Sequence, residues 1–238
     1  MASNIDPTKP ETGAATTQSV RDNFSAAKTE ILAAQAAAAT ETTDRSTADN
    51  TLRRMIVSLA VSNWTSRTNS AANQWRSIAW SPALGLFAAV ADTGTGTRVM
   101  TSPDGINWTT RTSAADNAWY AIAWSPELGL FAAVAYSGTG NRVMTSPDGI
   151  NWTSRTSAAD NNWYAIAWSP ALGLFAAVAS TGTGNRVMTS PDGINWTTRT
   201  SAADNAWRSI AWSPALGLFV AVAFDGSSNR VMTSLALK

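Results

Sequence analysis

Two hydrophobic patterns divide the chain. Near the N-terminus apolar residues recur at Val20, Phe24, Ala27, Ile31, Ala34 and Ala38. This alternating 4-3 spacing is the seam of a coiled-coil-like helix. From about residue 60 the pattern changes to short apolar and β-branched runs bounded by Ser, Pro, Asp and Gly, which predict strands and tight turns. In one stretch the runs are Trp119–Trp124, Leu130–Ala135, Arg142–Thr145 and Ile150–Arg155. Turns are expected at Ser125–Gly129, Ser137–Gly140 and Ser146–Gly149. On the first run Ile122 and Trp124 share one face, and Ala121 and Ala123 share the other. A bulky face is thus expected to pack on the small face of the next unit.

The runs repeat with a period of 44 residues. Trp64, Trp108, Trp152 and Trp196 form one series. Trp75, Trp119, Trp163 and Trp207 form a second, and Trp80, Trp124, Trp168 and Trp212 a third. Four short strands in a repeat of roughly 40–45 residues is the size of a propeller blade. Pro and Gly inside each unit argue against long helices there. A buried Trp removes about 150–250 Å² from water, so the repeated tryptophans are expected in the core.

The fourth-strand pattern first occurs at Ser62–Thr68, ahead of any other blade strand, while the unit starting at Trp207 ends at Ser234–Lys238 without one. The simplest closure pairs Ser62–Thr68 beside Arg230–Thr233. The alternative is that two chains share strands or blades across an interface. The expected fold is therefore all-β: a four-bladed β-propeller with N-/C-terminal strand closure, preceded by an α-helical, coiled-coil-like segment. The expected divisions are an extended attachment segment at 1–17, a helical oligomerisation segment at 18–59 and the propeller at 60–238.

Composition removes several chemistries. The chain has no Cys and no His, so thiolate and imidazole nucleophiles, bases and metal ligands are missing. Neither a cofactor nor a metal is expected. A net charge of +1 gives no basis for bulk attraction to nucleic acid. No apolar run approaches the about 20 residues of a membrane span, so membrane insertion is not expected.

A turn motif recurs three times. Its members are Ser102, Asp104, Gly105 and Trp108; Ser146, Asp148, Gly149 and Trp152; and Ser190, Asp192, Gly193 and Trp196. The carboxylate can accept turn N–H bonds, Gly supplies a positive φ, and Trp buries the hairpin. The motif resembles the Asp-box (BNR repeat) of sialidase-type β-propellers, with one residue fewer between Asp and Gly. The resemblance implies a propeller fold and a structural role for the box, away from any active site. Sialidase chemistry in that family uses an arginine cluster, a Tyr/Glu pair and an acidic residue. Glu127 is the sole Glu of the repeat array and falls in a turn at the Asp-box end. The array is therefore expected not to be an enzyme.

The opposite loop face carries most differences between copies. The second residue of the first strand is Arg76, Tyr120, Tyr164 and Arg208 in turn, and the residue after the second strand is Asp92, Tyr136, Ser180 and Phe224. The pairs Asp116–Asn117, Asp160–Asn161 and Asp204–Asn205 fall in the inter-blade loops. Two readings stand: Asp caps turns on solvated loops, or rings, Arg, Asp and Asn form shallow sugar sites repeated around a rigid scaffold. On the second, Tyr120 and Tyr164 face solvent, and their loss weakens binding at little cost in stability. The regular arginines on outer strands are expected to protect sheet edges.

The helical seam could continue through Ala48, Leu52, Met55 and Leu59, but Glu41 and Arg45 occupy two seam positions, and Thr40–Thr47 could break the helix. The helix either packs on its own propeller or bundles with helices of other chains. The opening ASNIDPTKPETGAATTQSVRDNFSAAKTEI resembles the start of tail-fibre and tail-associated proteins of tailed bacteriophages. The resemblance implies a virion location, attachment to other virion proteins through residues 1–59, and a homotrimer. The resulting expectation is a virion appendage whose propeller contacts a host-surface glycan. Its alternatives are a purely structural virion adaptor or decoration protein and a sialidase-like hydrolase.

Overall fold

The computed structural model describes residues 17–236. The expected extended segment and most of the tail-fibre-like opening lie outside the described residues. The chain divides at Ser66/Arg67 into an N-terminal unit and a repeat unit.

The N-terminal unit contains one helix, α1 (Thr17–Ser62). It is not broken at Thr40–Thr47. Thr40, Thr42, Thr43 and Thr47 donate their hydroxyls to carbonyls four residues back, at 2.9–3.0 Å. Glu41 and Arg45, which interrupt the apolar seam, pair with each other at 2.6 Å one turn apart. Val20, Phe24 and Ile31 remain exposed along the seam. A stripe of this kind gains stability from partner helices.

The repeat unit is built from four antiparallel sheets. Blade one contains β1 (Trp75–Ser81), β2 (Leu86–Ala91), β3 (Val99–Ser102) and β4 (Thr109–Arg111). Blade two contains β5 (Trp119–Ser125), β6 (Leu130–Ala135), β7 (Val143–Ser146) and β8 (Thr153–Arg155). Blade three contains β9 (Trp163–Ser169), β10 (Leu174–Ala179), β11 (Val187–Ser190) and β12 (Thr197–Arg199). Blade four has three described strands, β13 (Trp207–Ser213), β14 (Leu218–Ala223) and β15 (Val231–Thr233). The fold is that of an all-β propeller with four blades and an N-terminal helical segment.

Blades pack by large against small, in the direction opposite to the expected one. Trp119, Ile122, Phe131 and Met144 of blade two pack on Ala88, Val90 and Val99 of the preceding blade. Blade three repeats this with Trp163, Ile166, Phe175 and Met188 on Ala132, Val134 and Val143. Trp207 and Ile210 of blade four meet Val178 and Val187 in the same way. Trp119, Trp163 and Trp207 are fully buried keystones of the three seams.

The expected fourth strand of blade four is not found among the described strands. Residues 63–69 carry no regular structure, Trp64 is 92% exposed, and β15 pairs with β14 alone among the described strands. The helix runs on through Ser62, which takes the start of the expected strand. First strands touch in sequence, β1 with β5, β5 with β9 and β9 with β13, but β13 makes no comparable contact with β1. Four blades therefore form an arc that is open between blade four and blade one.

The Asp-box turns staple the outer hairpins. In blade two Ser146 Oγ–H donates to Asp148 Oδ1 at 2.9 Å, and the same oxygen accepts the N–H groups of Ile150 and Asn151 at 2.8 Å. Asn151 Nδ2 donates to Asp148 Oδ2 at 2.8 Å. Trp152 closes the turn by donating its indole N–H to the Gly149 carbonyl at 3.0 Å. Gly149 has φ 72°, a conformation that favours glycine, and a Cβ there would also meet the end of the Leu86 side chain of blade one at 2.8 Å, which would have to shift. Burial opposes ionisation of Asp148 and Asp192, but hydrogen bonds from Asn151 and Asn195 and their neighbours outweigh it and lower each pKa to about 2. A carboxylate whose folded pKa is depressed stabilises the fold above its unfolded value and loses that contribution as pH falls through the folded one. The melting temperature is therefore expected to be flat above about pH 4 and to fall between pH 4 and about 2. Asp148→Asn and Asp192→Asn together should flatten that fall. Thermal melts across this range check it.

Candidate functional site: an arginine–tyrosine row on one rim

Each first strand opens with a β-bulge. In β1 the register shifts between Trp75 and Ser77, and the same shift recurs at Trp119/Ala121 and Trp207/Ser209, with its equivalent in the β9–β10 pair. The residue skipped is Arg76, Tyr120, Tyr164 or Arg208. A bulge leaves its extra residue unpaired and re-aims the side chain. Because β1, β5, β9 and β13 are neighbours, the four skipped side chains meet in one row.

The row is continuous. The Arg76 guanidinium lies 5.0 Å from the Tyr120 ring centroid, the Tyr120 and Tyr164 rings are 4.8 Å apart edge to face, and the Arg208 guanidinium lies 3.7 Å over Tyr164. Tyr136, at the end of β6, stands 5.5 Å from both other tyrosines. Phe224, at the end of β14, lies 5.6 Å from the Arg208 guanidinium and is exposed. The six ring and arginine residues singled out from sequence are thus brought together. Tyr120 and Tyr164 are half-buried rather than solvated. Burial pushes the Tyr120 hydroxyl above its ordinary pKa, so it stays a neutral donor at physiological pH.

Asp92 anchors one end of the row. Its Oδ2 accepts Arg76 Nε–H at 2.6 Å and also pairs with Arg76 Nη2. That hydrogen bond raises the Arg76 pKa and fixes its charge. The second oxygen, Asp92 Oδ1, is buried and has no partner. A buried acceptor without a donor is costly. Sequence comparison marked Asp92 only as a variable loop residue; the signal was its placement opposite Arg76 in copy one.

The inter-blade Asp–Asn pairs do not join the row. Asp116, Asp160 and Asp204 accept the N–H groups of Gly96, Gly140 and Gly184 at 2.6–2.7 Å. They also lie 3.5–3.7 Å from Arg98, Arg142 and Arg186. Asn117, Asn161 and Asn205 are buried and donate to the carbonyls of Asn141, Asn185 and Asn229 at 2.8–2.9 Å. Each Asp ties the linker entering a blade to the loop of the preceding blade, and each Asn ties that linker to a loop of the blade it enters. Of the two sequence readings, capping describes the bonds they make.

Glu127 is engaged as well. Its Oε2 accepts the Trp168 indole N–H at 2.6 Å across the blade two/three seam. Ala83 and Ala171 stand at its position in blades one and three, and the indole N–H groups of Trp124 and Trp212 are buried without partners. Ala171→Glu is expected to give Trp212 the missing acceptor and to stabilise the array by about 1 kcal/mol. This corresponds to a rise of about 2–4 °C in Tm. A melt unchanged by the substitution contradicts it.

No family model matches the chain, and no curated protein does. Among solved structures the chain is similar to the GH74 enzyme of Niastella koreensis, with a TM-score of 0.53, 14% identity and 67% of this chain covered. It is also similar to a streptogramin B lyase, with a TM-score of 0.51, 10% identity and 69% of this chain covered. Both neighbours are β-propellers. The chain spans 28% and 55% of their lengths. At these identities the likeness defines the fold class, a β-propeller array, and leaves the chemistry to the site itself.

Proposed function

We propose that the protein is a non-enzymatic bacteriophage virion appendage, a tail fibre or tail-associated protein. Its propeller head recognises a host-surface glycan, and its N-terminal region anchors it to other virion proteins. The observation that carries this reading is the continuous Arg76–Tyr120–Tyr164–Arg208 row on one rim. Aromatic faces stack on the C–H faces of sugars, while tyrosine hydroxyls and guanidinium N–H groups take the hydroxyls. The N-terminal resemblance and the exposed seam of α1 support anchoring and self-association. A catalytic reading finds little support, because Glu127 and the inter-blade aspartates are already held by protein donors.

The test is a glycan array probed with the full chain, presented multivalently, beside whole cells and their extracted surface polysaccharides. Retention on a defined glycan class is expected. Absence of retention at high valency would favour the structural adaptor instead, and turnover of a fluorogenic sialoside would favour a hydrolase.

A further inference from the structure

The two ends of the arc are unfinished in complementary ways. Blade one exposes its bulky face: Ile78 is 54% exposed, whereas its counterpart Ile122 is 6% exposed, and Trp80 is open too. Blade four exposes its small face: Val222 is 45% exposed, whereas Val134 is fully buried, and Val231 is open. These are the same two surfaces that close every internal seam, bulky on small.

Blade four also lacks an aromatic. In the other blades the second-strand Phe lies between two tryptophans. Phe131 has Trp124 at 4.6 Å and Trp152 at 6.2 Å, and Phe175 has Trp168 at 4.7 Å and Trp196 at 6.3 Å. Phe219 has Trp212 at 5.0 Å and no second Trp among the described residues. Instead it lines a largely apolar cavity of about 780 Å³, with Leu174, Ile210, Met232 and Leu235. The absent tryptophan has its sequence counterpart in Trp64, which is exposed within the fourth-strand pattern Asn63–Thr68.

Spacing identifies where Asn63–Thr68 belongs. It precedes Trp75 by the same interval that separates β4 from Trp119 and β8 from Trp163. A fourth strand so placed belongs to a blade lying on the bulky side of the blade that follows. The chain's own blade four is not there, because three matching seams carry the array through four blades without returning β13 to β1. A ring with this curvature needs more than four blades.

We propose that the missing neighbour is blade four of a second copy. The Asn63–Thr68 segment of one copy pairs with β15 of the other, its Trp64 fills the cavity beside Phe219, and the blade-one bulky face covers the blade-four small face. The exchange is reciprocal, so two arcs close a ring of eight blades, within the range of about four to eight that propellers adopt. Closing the ring also removes the free edge of β15.

The register of the other blades gives the test. Thr101 faces Thr109, Thr145 faces Thr153, and Thr189 faces Thr197, which sets Thr65 opposite Thr233. The chain has no other cysteine to interfere. Full-length Thr65→Cys and Thr233→Cys chains are refolded together and oxidised. The expected product is a reducible two-chain species whose digest contains the 65–233 disulfide. The doubly substituted chain alone should then give a covalent dimer. A 65–233 disulfide confined to single chains would overturn the proposal in favour of self-closure. So would no 65–233 disulfide in material with native circular dichroism. Trp64→Ala, which leaves both cysteines in place, is expected to lower the crosslink yield at least fivefold; an unchanged yield also contradicts it.

Discussion

Trp163→Ala is expected to destabilise the array by about 3–5 kcal/mol, the usual loss for a large aromatic removed from a core. Trp163 is fully buried in the seam between blades two and three, among Ala132, Val134 and Val143 on one side and Phe175 and Met188 on the other. Its indole N–H donates to the Ala159 carbonyl at 3.1 Å, so truncation leaves both a cavity and an orphaned acceptor. The seam is the main apolar tie between blades two and three, so the loss should split unfolding into two halves rather than shift one transition, as in other stacked repeats. Urea unfolding followed by circular dichroism reads both effects. A loss below about 1 kcal/mol with a single transition would show that the Trp is not the keystone.

Tyr120→Ala with Tyr164→Ala is expected to weaken glycan or cell binding at least tenfold. The two rings supply the central stacking surface of the row, and their removal also releases Arg76 and Arg208 from the faces that hold them. The sequence reading set these rings in solvent, with little cost in stability on their loss. Their half-buried packing changes that expectation. Ring pairs contribute about 0.5–1.5 kcal/mol beyond burial and exposed cation–π contacts about 0.5–1 kcal/mol each. A fall of several degrees in Tm is therefore expected, with blades intact by circular dichroism. Tyr120→Phe with Tyr164→Phe keeps the packing and removes only the hydroxyls, so its binding loss isolates their part. Binding unchanged by the alanine pair would remove the row from recognition.

Much of the blade was legible because a 44-residue repeat states its own alignment. The Leu130–Ala135 run is β6 without adjustment, and the Trp119 run is β5 with Ser125 added. The fourth strand was read too long, since Ile150 and Asn151 belong to the Asp-box turn and pairing begins at Thr153. Curvature was not legible: it depends on how far each bulky face seats into its small neighbour, and residue types do not encode that angle. The pairing partner of Ser62–Thr68 was therefore assigned on count alone. Variable rim positions drew attention to Tyr120 and Tyr164, but their meeting depends on the bulge at each strand start. Conversely, Asp116 and Asn117 carry sugar-binding side chains by type, and only the structure shows them held by Gly96 and Asn141.

Hydrogen exchange on the full chain, with and without its retained glycan, tests the central claim most directly. The account predicts slowed exchange at the bulged strand starts, around residues 119–121 and 163–165, and at Tyr136. The Asp-box turns around Asp148 and Asp192, at the other end of the blades, should be unchanged. Protection centred on those turns, with the bulges unaffected, would contradict recognition by the arginine–tyrosine row.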